Sequence, residues 1–385
     1  MKSVKQKKPV SALLNSICFF AILIIIPAAT FLSPKDDFLE TENRAAAKPP
    51  VLSLKSIADK SFMRDFEVYL SDVIFGREYF VRAKHRLDIL GGKFEINGVY
   101  ILKSRMVERI DEPDYASIDR TVAAINKFAE NCDIPIYFML APTSAGVYSD
   151  EIPEFAPSLN QKEFIDYVYK NTSRNIANID VYNTLHTARD DYIYYRTDHH
   201  WTTYGAYLAY FDAGRRLGLQ PASLLNYNME HAGFDFRGTF YNRTLHKATP
   251  ADTLTLYHSN SNIKPSLLVF EEVGADALYY ESIYFRDFLE QSDKYSVFLG
   301  HNQPVVTIIN GNPNGGKLLM IKDSYAHSVA PFLADHYSET TLLDLRYISV
   351  PISTIVNMEE YDQILILYNV ATFTSDINLR KLAGG

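Results

Sequence analysis

Two short segments hold the residues whose types and spacing suit chemistry. One is Thr197-Asp198-His199-His200-Trp201-Thr202-Thr203-Tyr204-Gly205; the other is Met320-Ile321-Lys322-Asp323-Ser324-Tyr325-Ala326-His327. In the second, an apolar strand pattern ends at Ile321 and a hydroxyl stands immediately before a helical pattern. Such a turn presents Ser324 Oγ at the carboxyl edge of a parallel sheet. The helix amino terminus offers N–H groups and positive potential to a developing oxyanion there. A serine hydroxyl is a weak nucleophile and needs a base within hydrogen-bond reach. The first segment can supply one. In Asp198-x-His200 the carboxylate can orient the imidazole and stabilise its protonated form. His199 and His200 point in different directions along the chain, and His200 is taken as the base.

Plainer readings compete. Ser324 has the position of a helix N-cap, a role serine often fills. Asp198, His199 and His200, with His186 or His327, could gather a metal, but no recognised ligand spacing such as H-E-x-x-H is present, and the expectation is no metal and no cofactor. Trp201 either stacks on a sugar ring or pins the start of the following helix, and packing is favoured.

The elements that must position these residues are legible in outline. Phe62, Phe66, Tyr69, Leu70, Val73 and Ile74 recur at near-helical spacing and predict a helical pair over 60–90. Asn97-Gly98 between two β-rich runs predicts a hairpin. Ile118, Val122, Ile125 and Ala129 mark an amphipathic helix, followed by a strand at 134–140, a helix over 161–177, a strand at 179–185 and a helix opening near Thr203. After an aromatic, glycine-punctuated stretch over 212–315 the rhythm returns, with strands at 317–321, 340–345 and 363–368. Alternating strands and helices imply a parallel sheet with helices packed on it.

The amino-terminal end has its own character. Lys2, Lys5, Lys7 and Lys8 precede an uncharged run from Ala12 to Leu32, as long as the roughly 20 apolar residues needed to cross a bilayer. The positive-inside rule puts the lysines in the cytoplasm and the bulk of the chain outside. A cleaved signal peptide is the competing reading, although Ala28-Ala29-Thr30 is a poor cleavage site. Overall the chain has 38 Lys+Arg against 46 Asp+Glu, a formal net charge of −8. With four of the lysines in the leader, the remainder is more acidic still. That balance argues against a nucleic-acid binder, whose affinity comes largely from Lys and Arg on phosphates. Two cysteines, Cys18 and Cys132, exclude a disulfide framework. Aromatic residues make up 13%, with 27 Tyr, which gives slight support to a sugar substrate.

Asp198-His199-His200-Trp201, together with Glu42-Asn43-Arg44 and Lys322-Asp323-Ser324-Tyr325, resembles the DHHW protein family, which is related to the SGNH-hydrolase-like proteins of alginate O-acetylation. The resemblance covers about residues 38–385. It implies a flavodoxin-like, three-layer α/β sandwich with a parallel sheet and the motif order permuted: residues 134–210 resemble the second half of a usual SGNH domain and 317–370 the first. The division it suggests is a basic tail and transmembrane anchor at 1–33, a linker at 34–60, the first part of the SGNH-like domain at 61–211, an inserted mixed region at 212–315 and the second part at 316–385.

The resemblance also extends the site. Asn369, ending a strand, is an oxyanion-hole candidate, with strand-end turn former as its plain role. Arg346 could hold an oxyanion, a uronate or a phosphate, or form a salt bridge to Asp344 or Glu339. Tyr325 and Trp201 are further candidates beside the substrate. Lys322 stands where the usual pattern has glycine, and the Asp-x-His spacing agrees with the alginate-type proteins. The function implied is an extracytoplasmic serine O-acyl(acetyl)transferase or esterase acting on a cell-envelope polysaccharide, with a membrane-bound O-acyltransferase as its acyl-supplying partner. The alternative is a non-catalytic polysaccharide-binding or assembly protein that retains the fold.

Overall fold

The computed structural model describes residues 10–39, 44–312 and 314–384. The lysine cluster at 2–8 and the Glu42-Asn43 pair lie outside the described residues. The chain divides into two compact units, Met1–Lys93 with Thr244–His246, and Phe94–Arg243 with Lys247–Gly385.

In the first unit, helix α1 (Val10–Leu32) is followed by α2 (Ser61–Val73) and α3 (Arg77–Leu90), the expected helical pair. From Leu13 to Leu32, α1 is long and apolar enough to cross a membrane, and most of its side chains face outward. Gly76 separates α2 from α3 at φ +72°, a left-handed conformation that costs glycine little.

The second unit is built on one eight-stranded sheet. Its strands in chain order are β1 (Ile136–Ala141), β2 (Ile176–Ile179), β3 (Ser266–Phe270), β4 (Leu278–Tyr280), β5 (Val305–Ile309), β6 (Lys317–Lys322), β7 (Glu339–Leu343) and β8 (Gln363–Asn369). The spatial order is β4-β3-β5-β7-β6-β8-β1-β2. The five strands from β7 to β2 are parallel, and β5, β3 and β4 add antiparallel. The sheet is therefore mixed, which corrects the expectation of a parallel one. The antiparallel strands come from the 212–315 stretch, so part of that stretch extends the sheet.

Strand alternation divides the core in two. Leu318 and Met320 of β6, and Leu365 and Leu367 of β8, pack with α6 (Thr203–Arg216) and α7 (Ala326–Ala334). Leu319 and Ile321, with Ile364 and Ile366, pack on the other face against α4 (Tyr115–Glu130) and α5 (Gln161–Asn171). That is the three-layer arrangement. The predicted strand at 179–185 is not there. β2 ends at Ile179, and Tyr182–Thr187 forms a short helix that buries Leu185. Its apolar residues are spaced for either element, an ambiguity that short runs carry.

Asn97-Gly98 does make the hairpin turn, both residues having positive φ (50° and 72°) as a type I′ turn requires. The adjoining strands Glu95–Ile96, Val99–Ile101 and Met106–Glu108 form a small antiparallel sheet. A ribbon of Tyr227–Phe236 against Asp252–Ser259 lies outside the main sheet.

Candidate functional site

β6 is buried between two parallel neighbours and ends at Lys322, and α7 begins at Ala326. Within 318–334 Ser324 alone is half-exposed among described residues, and everything on either side of it is buried. The turn is held by Asp323. Its Oδ1 accepts the Tyr325 N–H at 2.9 Å, and its Oδ2 accepts both the backbone N–H and the side-chain amide of Asn369, at 2.7 and 2.6 Å. Asp323 thus provides the cap-like bond at this helix start, which leaves the Ser324 hydroxyl for another partner. The Ser324 backbone N–H makes no hydrogen bond among the described residues.

That partner is His200. Its Nε2 lies 2.8 Å from Ser324 Oγ, and its Nδ1 lies 2.6 Å from Asp198 Oδ1. A carboxylate can only accept, so Nδ1 carries the proton and Nε2 is the acceptor for the serine O–H. Asp198 is buried and its oxygens are fully used. Oδ1 also accepts the His200 N–H at 3.0 Å, and Oδ2 accepts the Thr239 N–H at 2.8 Å and hydroxyl at 3.1 Å. Burial pushes the Asp198 carboxyl upward, but the His199 and His200 rings and these hydrogen bonds outweigh it and hold the group well below the usual carboxylate range. Close packing requires Gly238 here, because a Cβ on it would sit 2.1 Å from Asp198 Oδ2.

The His200 ring is fixed on its flat faces as well. Tyr295 stacks on it at 3.6 Å between centroids and 6° between planes, and the Tyr295 hydroxyl donates to the Ser324 carbonyl at 3.2 Å. His199, 3.8 Å away centroid to centroid, is half-exposed, and its Nδ1 shares a 2.7 Å hydrogen bond with Thr239 Oγ1. Asp198, His199 and His200 bring possible ligand atoms within 4.8 Å of one another. The Asp198 oxygens and both His200 nitrogens already have hydrogen-bond partners, so the donor set fits a proton-handling chain better than a metal.

The other sequence candidates fall into place around this chain. Trp201 is completely buried, its Nε1–H donating to the Tyr325 carbonyl at 3.1 Å and Ser328 Oγ at 3.0 Å, which leaves no ring face for a sugar. Tyr325 is buried too, and its hydroxyl donates to the His199 carbonyl, joining the two motifs. Asn369 caps α8 (Val370–Ser375) through Oδ1, while its amide hydrogens go to Asp323 and, at 2.8 Å, Thr372 Oγ1. It braces the turn, with no amide hydrogen free for an oxyanion. Arg346 grips Asp344 through Nε at 2.8 Å and Nη2 at 2.6 Å, the salt-bridge alternative. Lys322 is buried with Nζ 3.0 Å from Asp344 and 2.8 Å from His327 Nε2, so a lysine in the glycine position is accommodated away from Ser324 Oγ.

Tyr295, Thr239 and Gly238 were not foreseen. They come from segments with no motif of their own, and their contacts reach the site from 29 to 95 residues away in sequence. Beside the site lies an open cleft of about 1000 Å3, with His199, Thr239, Phe240, Arg346 and Asn369 among its walls.

Fold and site together define a three-layer α/β protein carrying a serine–histidine–aspartate hydrogen-bonded chain at the carboxyl edge of its parallel strands. The family model described as DHHW protein matches residues 95–343, and the chain belongs to that family. A DHHW family protein from Eubacterium siraeum superposes with a TM-score of 0.65 at 25% identity, covering 76% of this chain and 96% of that one. Bacillus cereus PatB1 superposes at 0.63 with 20% identity over 73% of this chain and 98% of its own, and PatB1 with a sulfonyl adduct at 0.61 with 18% identity, 73% and 97%. No curated protein matches the chain.

Proposed function

We propose that this chain is a membrane-anchored, extracytoplasmic serine O-acyltransferase or esterase of the SGNH type, acting on a cell-envelope polysaccharide. The observation that carries the reading is the continuous chain Ser324 Oγ–His200 Nε2/Nδ1–Asp198 Oδ1, with links of 2.8 and 2.6 Å. Ser324 Oγ attacks the carbonyl of an acyl ester while its proton passes to His200 Nε2; Asp198 orients the ring and stabilises the imidazolium. The unengaged Ser324 N–H, at the amino end of α7, stabilises the oxyanion. His200 returns the proton to the leaving alkoxide. In the second half, a sugar hydroxyl or water attacks the acyl-serine and His200 takes its proton, which then returns to Ser324 Oγ as the C–O bond breaks.

The motif order, with Asp198-x-His200 before Ser324, is read as a permuted SGNH arrangement, and a triad depends on geometry, not on chain order. Transfer over hydrolysis rests on the resemblance to alginate O-acetylation proteins, as does an acyl-exporting membrane partner. The parts at 61–211 and 316–385 form the catalytic body on this reading, with 212–315 supplying Thr239 and Tyr295 to it, and 1–33 and 34–60 serve as anchor and tether.

The test uses the full chain in detergent with an activated acetyl ester, followed by intact mass. Wild type should gain one acetyl group; Ser324→Ala should gain none, and His200→Ala should react about 1000-fold more slowly or worse. An adduct that persists in Ser324→Ala, or three proteins that behave alike, would remove the enzyme reading. The non-catalytic alternative would then stand.

A further inference from the structure

The cleft walled by His199, Thr239 and Asn369, of which Thr239 bonds to Asp198 and Asn369 to the Asp323 turn, has a charge pattern that speaks to the acceptor. Among the charged side chains on its walls, each arginine already holds a carboxylate. Arg243 pairs with Glu108 at 2.6 Å, and Arg109 with Asp111 at 2.7 Å and Glu95 at 3.4 Å. Arg346 closes its Nε/Nη2 fork on Asp344. Each guanidinium thus meets the cleft with its charge already offset and part of its donor set engaged, which weakens the bidentate grip by which arginine recognises carboxylates and phosphates.

Two further wall acids, Glu112 and Asp376, have no cationic partner among the described residues. Glu112 accepts from the Tyr115 hydroxyl at 3.1 Å, and Asp376 accepts the Asn378 N–H at 2.8 Å and its amide. Asp376 Oδ2 is buried without a hydrogen-bond partner. The remaining lining is neutral and polar: Thr374 and Ser375 donate their hydroxyl hydrogens to backbone carbonyls and keep lone pairs that can accept from a sugar hydroxyl, Asn378 adds an amide, and Phe240 adds a ring. His199 opens onto this cleft while His200 stays buried behind it.

We infer that this cleft takes an uncharged saccharide as the acyl acceptor and discriminates against polyuronates and other anionic glycans. The inference rests on the acyl-transfer reading and sharpens it. A carboxylate entering the cleft must either break an existing ion pair or lie against unpaired Glu112 and Asp376, and like-charge juxtaposition is a strong source of rejection. A neutral sugar hydroxyl meets neither obstacle. In the transfer step its oxygen bonds to the acyl carbon, its proton goes to His200 Nε2, and the Ser324 ester bond breaks as the proton moves on to Ser324 Oγ.

The full chain in detergent is first acetylated at Ser324 with an activated ester, and transfer is then counted per acyl-enzyme formed. Acceptors are neutral gluco- and N-acetylglucosamine oligosaccharides, and an oligouronate offered both as free acid and as its methyl ester, which keeps the same hydroxyls. At least one neutral oligosaccharide should accept, and the methyl ester should outperform the free acid about tenfold at low salt. The gap should narrow in high salt as the wall charges are screened. Glu112→Lys and Asp376→Lys should each shrink the ester-to-acid ratio.

Failure to acetylate Ser324 would strike at the function itself. A protein that acetylates normally but accepts the free acid as well as the ester, or accepts no neutral sugar, would overturn this inference alone. A ratio unmoved in folded charge-reversed variants would do the same.

Discussion

At the scale of single residues, the carboxylate of Asp198 does two jobs with one set of bonds. It fixes the His200 tautomer, so that Nε2 faces Ser324 as an acceptor, and it stays ionised because two imidazoles and the Thr239 N–H stabilise its charge. Asp198→Asn keeps the size and loses the charge. An amide can present its NH2 to Nδ1 and so favour the wrong tautomer, and the acylation rate with an activated ester should fall about 1000- to 10,000-fold. The same depressed pKa also links Asp198 to folding. A carboxyl held lower in the folded state stabilises fully above its unfolded value near 4, and that contribution is lost as pH falls below it. Asp198→Asn should therefore lose less stability than wild type between about pH 4 and pH 2. Trp201, the only tryptophan and fully buried, gives the fluorescence signal for that acid titration. An unaltered acid transition would mean that the carboxylate is not held low.

Ser324, His200 and Asp198 were legible because each stands where a sequence pattern changes, at a strand end or just before a helix. Tyr295, Thr239 and Gly238 were not, since stacking at 3.6 Å, or an approach to Asp198 too close for any Cβ, leaves no local signature. Trp201 and Asn369 were visible as residues with two possible roles each. Their burial and hydrogen bonds supply the structural one.

At the scale of elements, the β6 end and the β7 end are tied by a buried charge cluster. Asp344, just past β7, receives Lys322 Nζ from β6 and the fork of Arg346. Burial pushes the Lys322 ammonium down, and Asp344 works against that shift. The two ends of this cluster are not equivalent. Lys322→Met leaves Asp344 in its bidentate pair with Arg346 and strands only the buried His327 Nε2, so it should cost about 1–3 kcal/mol. Asp344→Asn strips the carboxylate from a fully buried ammonium and from Arg346 together, and should cost about 3–5 kcal/mol. Thermal unfolding of the two variants, followed through Trp201, should show that order; equal losses would mean that the cluster holds no net charge to strand.

The sheet shows what alternation of strand and helix can and cannot reveal. It marks the parallel half, because each parallel connection needs a crossover. It does not say where strands from a stretch without helices will pair. β3, β4 and β5 carry ordinary apolar patterns, and only the observed register of β5 against β7, Val305 opposite Leu343, makes them part of the same sheet.

At the scale of the whole molecule, the question is whether α1 stays attached. Its apolar side chains face outward along a length that suits a bilayer. Near its carboxyl end Thr30 is buried, and its Oγ1 accepts the Phe75 N–H at 3.0 Å, at the junction of α2 and α3. The sequence Ala28-Ala29-Thr30, read as a poor processing site, thus lies inside a continuous helix, and cutting there would strip Phe75 of its partner. A signal peptide awaiting removal has no reason to brace the mature protein. The chain is therefore expected to keep residues 1–33: intact mass of the protein recovered from its host should include them, and the protein should stay with the membrane pellet after alkaline carbonate washing. A version starting at residue 34 should move to the soluble fraction. Recovery of a species cut between Ala28 and Lys35 would instead make the body a secreted protein.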